Sequence, residues 1–142
     1  MQKIIHSIQN VVAARQNEVL ALLRLSLGVI YIQAGLGKFV NFEKTVGFFI
    51  SIGIPFPEIN VVFSAGIELI AGVCILIGLM TRLVSLPLAF VMVIAIITGH
   101  RADIHSFSDL FALNAWIYLV ILLLLATIGS GKWSLDHFLL KK

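Results

Sequence analysis

Charged residues are scarce in this chain of 142 residues. Asp, Glu, Lys and Arg together make up 12% of the sequence, whereas hydrophobic residues make up 60%. A soluble domain carries about 25% charged residues. This deficit excludes an ordinary soluble domain and indicates an integral membrane protein.

Cysteine is almost absent too, and so are the common catalytic motifs. Cys74 is the only cysteine, which excludes an internal disulfide and dithiol redox chemistry; we interpret it as a packing residue. The glycine-rich residues 35–38 lack the spacing of a phosphate loop, and no G-x-S-x-G, H-E-x-x-H or paired-histidine haem pattern occurs. No basic-aromatic motif suggests nucleic-acid binding. The sequence therefore shows no redox centre or catalytic motif of its own, and whether the chain is an enzyme stays open.

What the sequence does contain is a set of long apolar stretches. Four of them approach the ~17–25 residues that a membrane crossing needs, at roughly 19–40, 59–80, 83–99 and 110–128. We predict an all-α, integral membrane, four-helix antiparallel bundle that forms a single domain over residues 1–142. Short amphipathic or interfacial segments are predicted at 1–18, 41–54 and 134–140, and the first span is interpreted as an uncleaved anchor.

The basic residues favour one orientation of the bundle. With four spans, the termini and the second connector share one side, which carries six Lys and Arg residues against three on the other. Excess Lys and Arg mark the cytoplasmic side. We therefore predict a bacterial-type inner-membrane protein with both termini in the cytoplasm.

The first span carries polar and small residues on one helical face. Arg24, Gly28, Tyr31, Gly35 and Lys38 follow one another at steps of four, three, four and three residues. Glycines on such a face let a neighbouring backbone approach closely. We therefore expect this face to contact another span.

Glu68 is the one carboxylate inside an apolar span, and a charge at that depth must be paired, protonated or solvated. At 1.5 Å per residue, Glu68 lies roughly 15 Å from the start of its span. Along the helix axis this is roughly 7 Å from the level of Arg24 and about 14 Å from that of Lys38. Arg24 is therefore the predicted partner, with Gln33 as a second hydrogen-bond donor. Two interpretations stay open: a structural clamp between helices, or a polar pocket for a quinone headgroup, a small substrate or a proton.

Two further sets of polar residues are weaker candidates. Arg82 is interpreted first as an interface anchor, and otherwise as a residue that caps a cavity or binds lipid phosphate. Lys38 is interpreted first as an interface anchor, and otherwise as a periplasmic site residue. His100, Asp103 and His105 suggest a metal site, but a solvated loop explains them better and no metal is predicted.

The order of several short motifs resembles the DoxX family of small four-span membrane proteins. These motifs cover about residues 20–136 and read R-L-S-L-G at 24–28, G-L-G-K at 35–38, G-I-P at 53–55, G-I-E-L-I-A-G at 66–72, G-L-M-T-R at 78–82 and G-K-W-S-L-D at 131–136. The resemblance implies that Arg24, Lys38, Glu68 and Arg82 are recurrent polar positions, with His100 as a weaker one.

The resemblance also implies a link to terminal quinol oxidases, thiosulfate-to-quinone electron transfer and membrane redox complexes. Our first hypothesis is an accessory or quinone-interacting subunit of a membrane oxidoreductase system, without an intrinsic cofactor. Its partners would be the bilayer, redox proteins and, as an open alternative, further copies of the chain. The other hypotheses are a carrier or binding protein for a small or lipophilic solute, and a membrane assembly factor.

Overall fold

The computed structural model describes residues 14–100 and 104–139, and every regular element in these ranges is a helix. The helices are α1 (Gln16–Val40), α2 (Phe42–Ser51), α3 (Pro57–Ile77), α4 (Thr81–Ile94) with a π-helical turn (Ala95–Gly99), α5 (Phe107–Ala112), α6 (Asn114–Ile128) and α7 (Leu135–Leu139). The predicted all-α class is confirmed. The predicted amphipathic segment at 1–18 lies mostly outside the described residues.

Three helices in the described ranges are long and apolar enough to cross a membrane: α1, α3, and α4 together with its π-helical turn. The fourth predicted span, 110–128, is divided because Leu113 adopts an extended conformation between α5 and α6. The 15 residues of α6 extend only about 22 Å, short of the ~30 Å hydrocarbon core. The fourth helix is thus apolar but shorter than predicted.

Local sequence signals explain where α3 begins and ends. Pro57 occupies the first turn of α3, where its missing N–H costs no hydrogen bond. Gly78 ends the helix in the left-handed conformation at φ 73°, and Met80 repeats this conformation at φ 47° before α4 begins. The corner therefore reverses the chain within three residues, and α4 packs beside α3 as predicted.

The bundle is built from two helix pairs. α1 packs along α3, α4 packs along α6, and contacts between α3 and α4 join the pairs. The buried core includes Leu27, Ile75, Leu88, Leu122 and Leu125. Large apolar side chains such as Phe63 and Phe90 point outward, as expected for surfaces that face lipid.

The connectors contain the short helices that were expected near the membrane surface. α2 falls within the predicted 41–54 segment and packs on α3, and α7 falls within 134–140. α5 begins with a capping box between Ser106 and Asp109. Backbone N–H groups of His105 and Ser106 donate to that carboxylate and hold the pKa of Asp109 below its usual range.

Candidate functional site

Glycines bring α1 and α3 into backbone contact. A Cβ placed on Gly28 would lie 2.9 Å from the Gly72 carbonyl oxygen, and one placed on Gly35 would lie 2.8 Å from the Ala65 carbonyl oxygen. Neither helix could approach so closely with larger residues at these positions. The predicted contact face of the first span is therefore confirmed, and it sets which side chains of the two helices meet.

Within this contact, Lys38 forms an ion pair with Glu68. The Lys38 ammonium donates a hydrogen bond to Glu68 Oε2. The Glu68 side chain is only 3% exposed, whereas the Lys38 side chain is 24% exposed. The prediction that Arg24 is the partner of Glu68, assisted by Gln33, is therefore wrong.

The register of the two helices explains this correction. Gly35 packs between Ala65 and Leu69, so Glu68 lies level with about Ala34 on α1. Lys38 is four residues from that level, roughly 6 Å along the axis, whereas Arg24 is ten residues away, roughly 15 Å. Depths counted from the predicted ends of the spans placed Glu68 about five residues, roughly 8 Å, too close to Arg24, and this error exchanged the two partners.

Tyr31 is the third polar residue of this part of the bundle. It is 2% exposed, and its hydroxyl makes no hydrogen bond to any described residue. The Tyr31 hydroxyl is close enough to Glu68 to interact with its charge. The Tyr31 ring packs edge-on against Tyr118 of α6, with 6.2 Å between ring centroids. A buried hydroxyl without a partner normally costs free energy. We call Tyr31, Lys38 and Glu68 the α1–α3 polar cluster.

Arg24 belongs to a second group at the opposite end of the α1–α3 contact. It is 3% exposed and donates from Nη2 to the carbonyl oxygen of Trp133. Its guanidinium packs so closely on Gly78 that a Cβ there would lie 1.7 Å from Nη1. Asp136 lies within electrostatic range of this guanidinium. Arg24 thus holds the segment that follows α6 against the α3–α4 corner.

The remaining contacts of that segment fix its path across the end of the bundle. Asp136 accepts hydrogen bonds from the backbone N–H groups of Met80 at 2.7 Å and Thr81 at 3.3 Å. The Lys132 N–H donates to the Asn17 side-chain oxygen at 2.9 Å. Residues 131–136 are therefore bound to the ends of α1, α3 and α4, and we call them the closing segment.

The other predicted site residues in the described ranges are Gln33, Arg82 and His100. Gln33 is exposed, because it is two residues from Tyr31 and so points away from the contact face. Arg82 is exposed and donates from Nη2 to the Ile128 carbonyl oxygen at 3.1 Å. His100 follows the π-helical turn and is half-buried. No group of three potential metal ligands occurs in the described ranges, and Asp103 lies outside them.

Comparison with known proteins identifies the family. The DoxX family profile matches residues 19–101, which contain the whole α1–α3 contact. The chain belongs to the DoxX family of membrane proteins. It is 40% identical over 123 residues to the protein named "Putative oxidoreductase CatD" of Bacillus subtilis, covering 84% of this chain and 86% of that one.

Two further relatives are named only as membrane proteins. Inner membrane protein YphA of Escherichia coli is 30% identical over 129 residues, which cover 84% of this chain and 89% of YphA. The uncharacterized membrane protein Rv3486 of Mycobacterium tuberculosis is 29% identical over 131 residues, which cover 84% of this chain and 80% of Rv3486. No solved structure matches the chain.

Proposed function

We propose that this DoxX protein is a quinone-interacting accessory subunit of a membrane oxidoreductase system, and that the quinone headgroup binds at the α1–α3 polar cluster. The observation that carries the proposal is the Lys38–Glu68 ion pair inside an apolar helix pair, beside the Tyr31 hydroxyl, which has no hydrogen-bond partner among the described residues. The name of the Bacillus subtilis relative supports the oxidoreductase part. We further propose an inner-membrane location with both termini in the cytoplasm, on the distribution of Lys and Arg.

A purely structural role explains the ion pair less well. The glycine contacts at Gly28 and Gly35 already hold α1 against α3. A buried ion pair often stabilises a protein no better than apolar side chains of the same volume. Placing an ionisable residue inside a membrane costs free energy, and such residues are usually retained at functional sites.

The residues present fit a quinone headgroup. The Lys38 ammonium and the Tyr31 hydroxyl can donate hydrogen bonds to carbonyl oxygens, and the Glu68 carboxylate can accept one from a hydroxyl. Lys38 is the partly exposed member, so it lies where a lipophilic molecule would enter. A bound quinone supplies two-electron, two-proton chemistry, with electrons from a partner oxidoreductase because the sequence has no redox motif of its own. Lys38 and Glu68 would orient the headgroup and hold protons.

Titration with a short-chain quinone tests this proposal. The purified protein in lipid nanodiscs should bind the quinone, kept in its reduced quinol form, saturably, and Glu68→Gln should weaken quinol binding about tenfold, because hydrogen bonds to charged groups contribute about 1.5–3 kcal/mol. Glu58→Gln is the matched control, since Glu58 is exposed in the first turn of the same helix and should bind as wild type does. Absence of saturable binding in wild type, or equal weakening in both variants, would refute the proposal.

A further inference from the structure

A groove opens where the α3–α4 corner meets the end of α6 and the closing segment. It has a volume of about 840 Å³, within the range of small-molecule sites. Its walls include apolar side chains that face outward, Leu83 and Leu139 among them. Because it lies at the ends of membrane-spanning helices, its walls are placed at the level where acyl chains meet lipid headgroups.

Arg82 supplies the positive charge of this groove. Its side chain is exposed, and one of its N–H groups is held by the Ile128 carbonyl oxygen at 3.1 Å. Gly129 leaves room for it: a Cβ there would lie 2.8 Å from Arg82 Nε. The guanidinium is thus fixed on the wall while further N–H groups remain to bind a ligand.

The carboxylate in the groove, that of Asp136, is engaged by the backbone. Both oxygens of Asp136 accept hydrogen bonds from the backbone of Met80 and Thr81, and the buried guanidinium of Arg24 lies within its electrostatic range. The oxygens of Asp136 are therefore bound from inside the bundle. Arg82 keeps N–H donors that an incoming headgroup can meet.

We propose that this groove binds an anionic phospholipid, with the phosphate on Arg82 and an acyl chain along the apolar wall. Apolar walls with a single arginine at the headgroup level complement an anionic lipid better than a neutral one. The site is separate from the α1–α3 polar cluster, so this proposal stands or fails independently of quinone binding.

Native mass spectrometry with competing lipids tests the site. Phosphatidylglycerol and phosphatidylcholine with the same acyl chains are offered together at equal concentration to the purified full-length protein. We expect about fivefold more phosphatidylglycerol adduct, as one basic residue near an anionic lipid predicts, and a smaller ratio at higher salt. Arg82→Gln should bring the ratio near one, and Arg82→Lys should keep most of the preference.

The control and competition arms decide between sources of the phosphate. Lys44→Gln removes an exposed lysine of α2 and should leave the ratio unchanged. Inorganic phosphate should not displace the lipid. A wild-type ratio near one, an unchanged ratio in Arg82→Gln, or displacement by inorganic phosphate would overturn the proposal. If Arg82→Gln fails to fold, the wild-type protein still tests the proposal, because a ratio that does not fall with salt would overturn it.

Discussion

Replacing Gly28 with alanine should lower the free energy of unfolding by about 1–3 kcal/mol, the usual cost of overpacking a well-packed contact. The new methyl group would lie 2.7 Å from the Leu76 Cβ and 2.9 Å from both the Leu76 Cα and the Gly72 carbonyl oxygen. Because backbone atoms are among these neighbours, no change of rotamer relieves the overlap, and α1 must move away from α3. Reversible unfolding in detergent or bicelles, followed by helical circular dichroism, measures the loss.

Other glycines of the same helices supply the controls. A Cβ on Gly37 of α1 or on Gly66 of α3 meets no atom of the described residues within 4 Å. Gly37→Ala and Gly66→Ala should be neutral or stabilising by up to about 1 kcal/mol, because alanine favours helix more than glycine does. If all three variants had the same stability, the backbone contact between α1 and α3 would be wrong.

Replacing Lys38 with glutamine should be more damaging still, lowering the free energy of unfolding by about 3–5 kcal/mol. The change leaves the Glu68 carboxylate, 3% exposed, without its partner inside the bundle. Glu68→Gln should cost less, because the freed Lys38 side chain is already 24% exposed and can extend to the membrane surface. This inequality follows from the difference in burial and can be measured in the same unfolding assay.

A double variant tests whether the stability lost in Lys38→Gln comes from the unpaired charge of Glu68. Lys38→Gln combined with Glu68→Gln should recover much of the stability that Lys38→Gln loses, since the unpaired charge is gone. Lys44→Gln is the matched lysine control and should be near neutral. Equal effects of Lys38→Gln and Lys44→Gln, or additive losses in the double variant, would contradict the ion pair. If Arg24 were the partner of Glu68, Lys38→Gln would be mild.

Much of the fold could be predicted from the sequence because the membrane simplifies the problem. Apolar length alone located α1, α3 and α4 together with its π-helical turn, and the spacing of Gly28 and Gly35 predicted a close contact. The short helix α2 was predicted from its polar start and the prolines after it. The break at Leu113 was not predicted, because a continuous apolar run carries no signal of where its backbone turns extended.

The partner of Glu68 could not be predicted reliably for a related reason. Hydropathy places the end of a span to within a few residues, and three residues correspond to roughly 4.5 Å. A shift of more than about 3.5 Å already exchanges Arg24 for Lys38, and the observed register differs from the predicted depths by roughly 8 Å. The role of Asp136 was also missed, since its contacts with Met80 and Thr81 join residues more than fifty positions apart. The glycines of α1 predicted its contact with α3, but only the axial alignment of the two helices in the structure showed which side chains meet.

Tyr31→Phe combined with quinone titration tests the central claim most directly. The substitution removes one hydroxyl that has no partner among the described residues, so the unfolding free energy should stay the same or rise. If the α1–α3 polar cluster binds the quinone headgroup, affinity should nonetheless fall, by up to about tenfold for one lost hydrogen bond. Unchanged quinone affinity in Tyr31→Phe, in a variant as stable as wild type, would contradict the role of this cluster and leave Lys38–Glu68 as a structural ion pair.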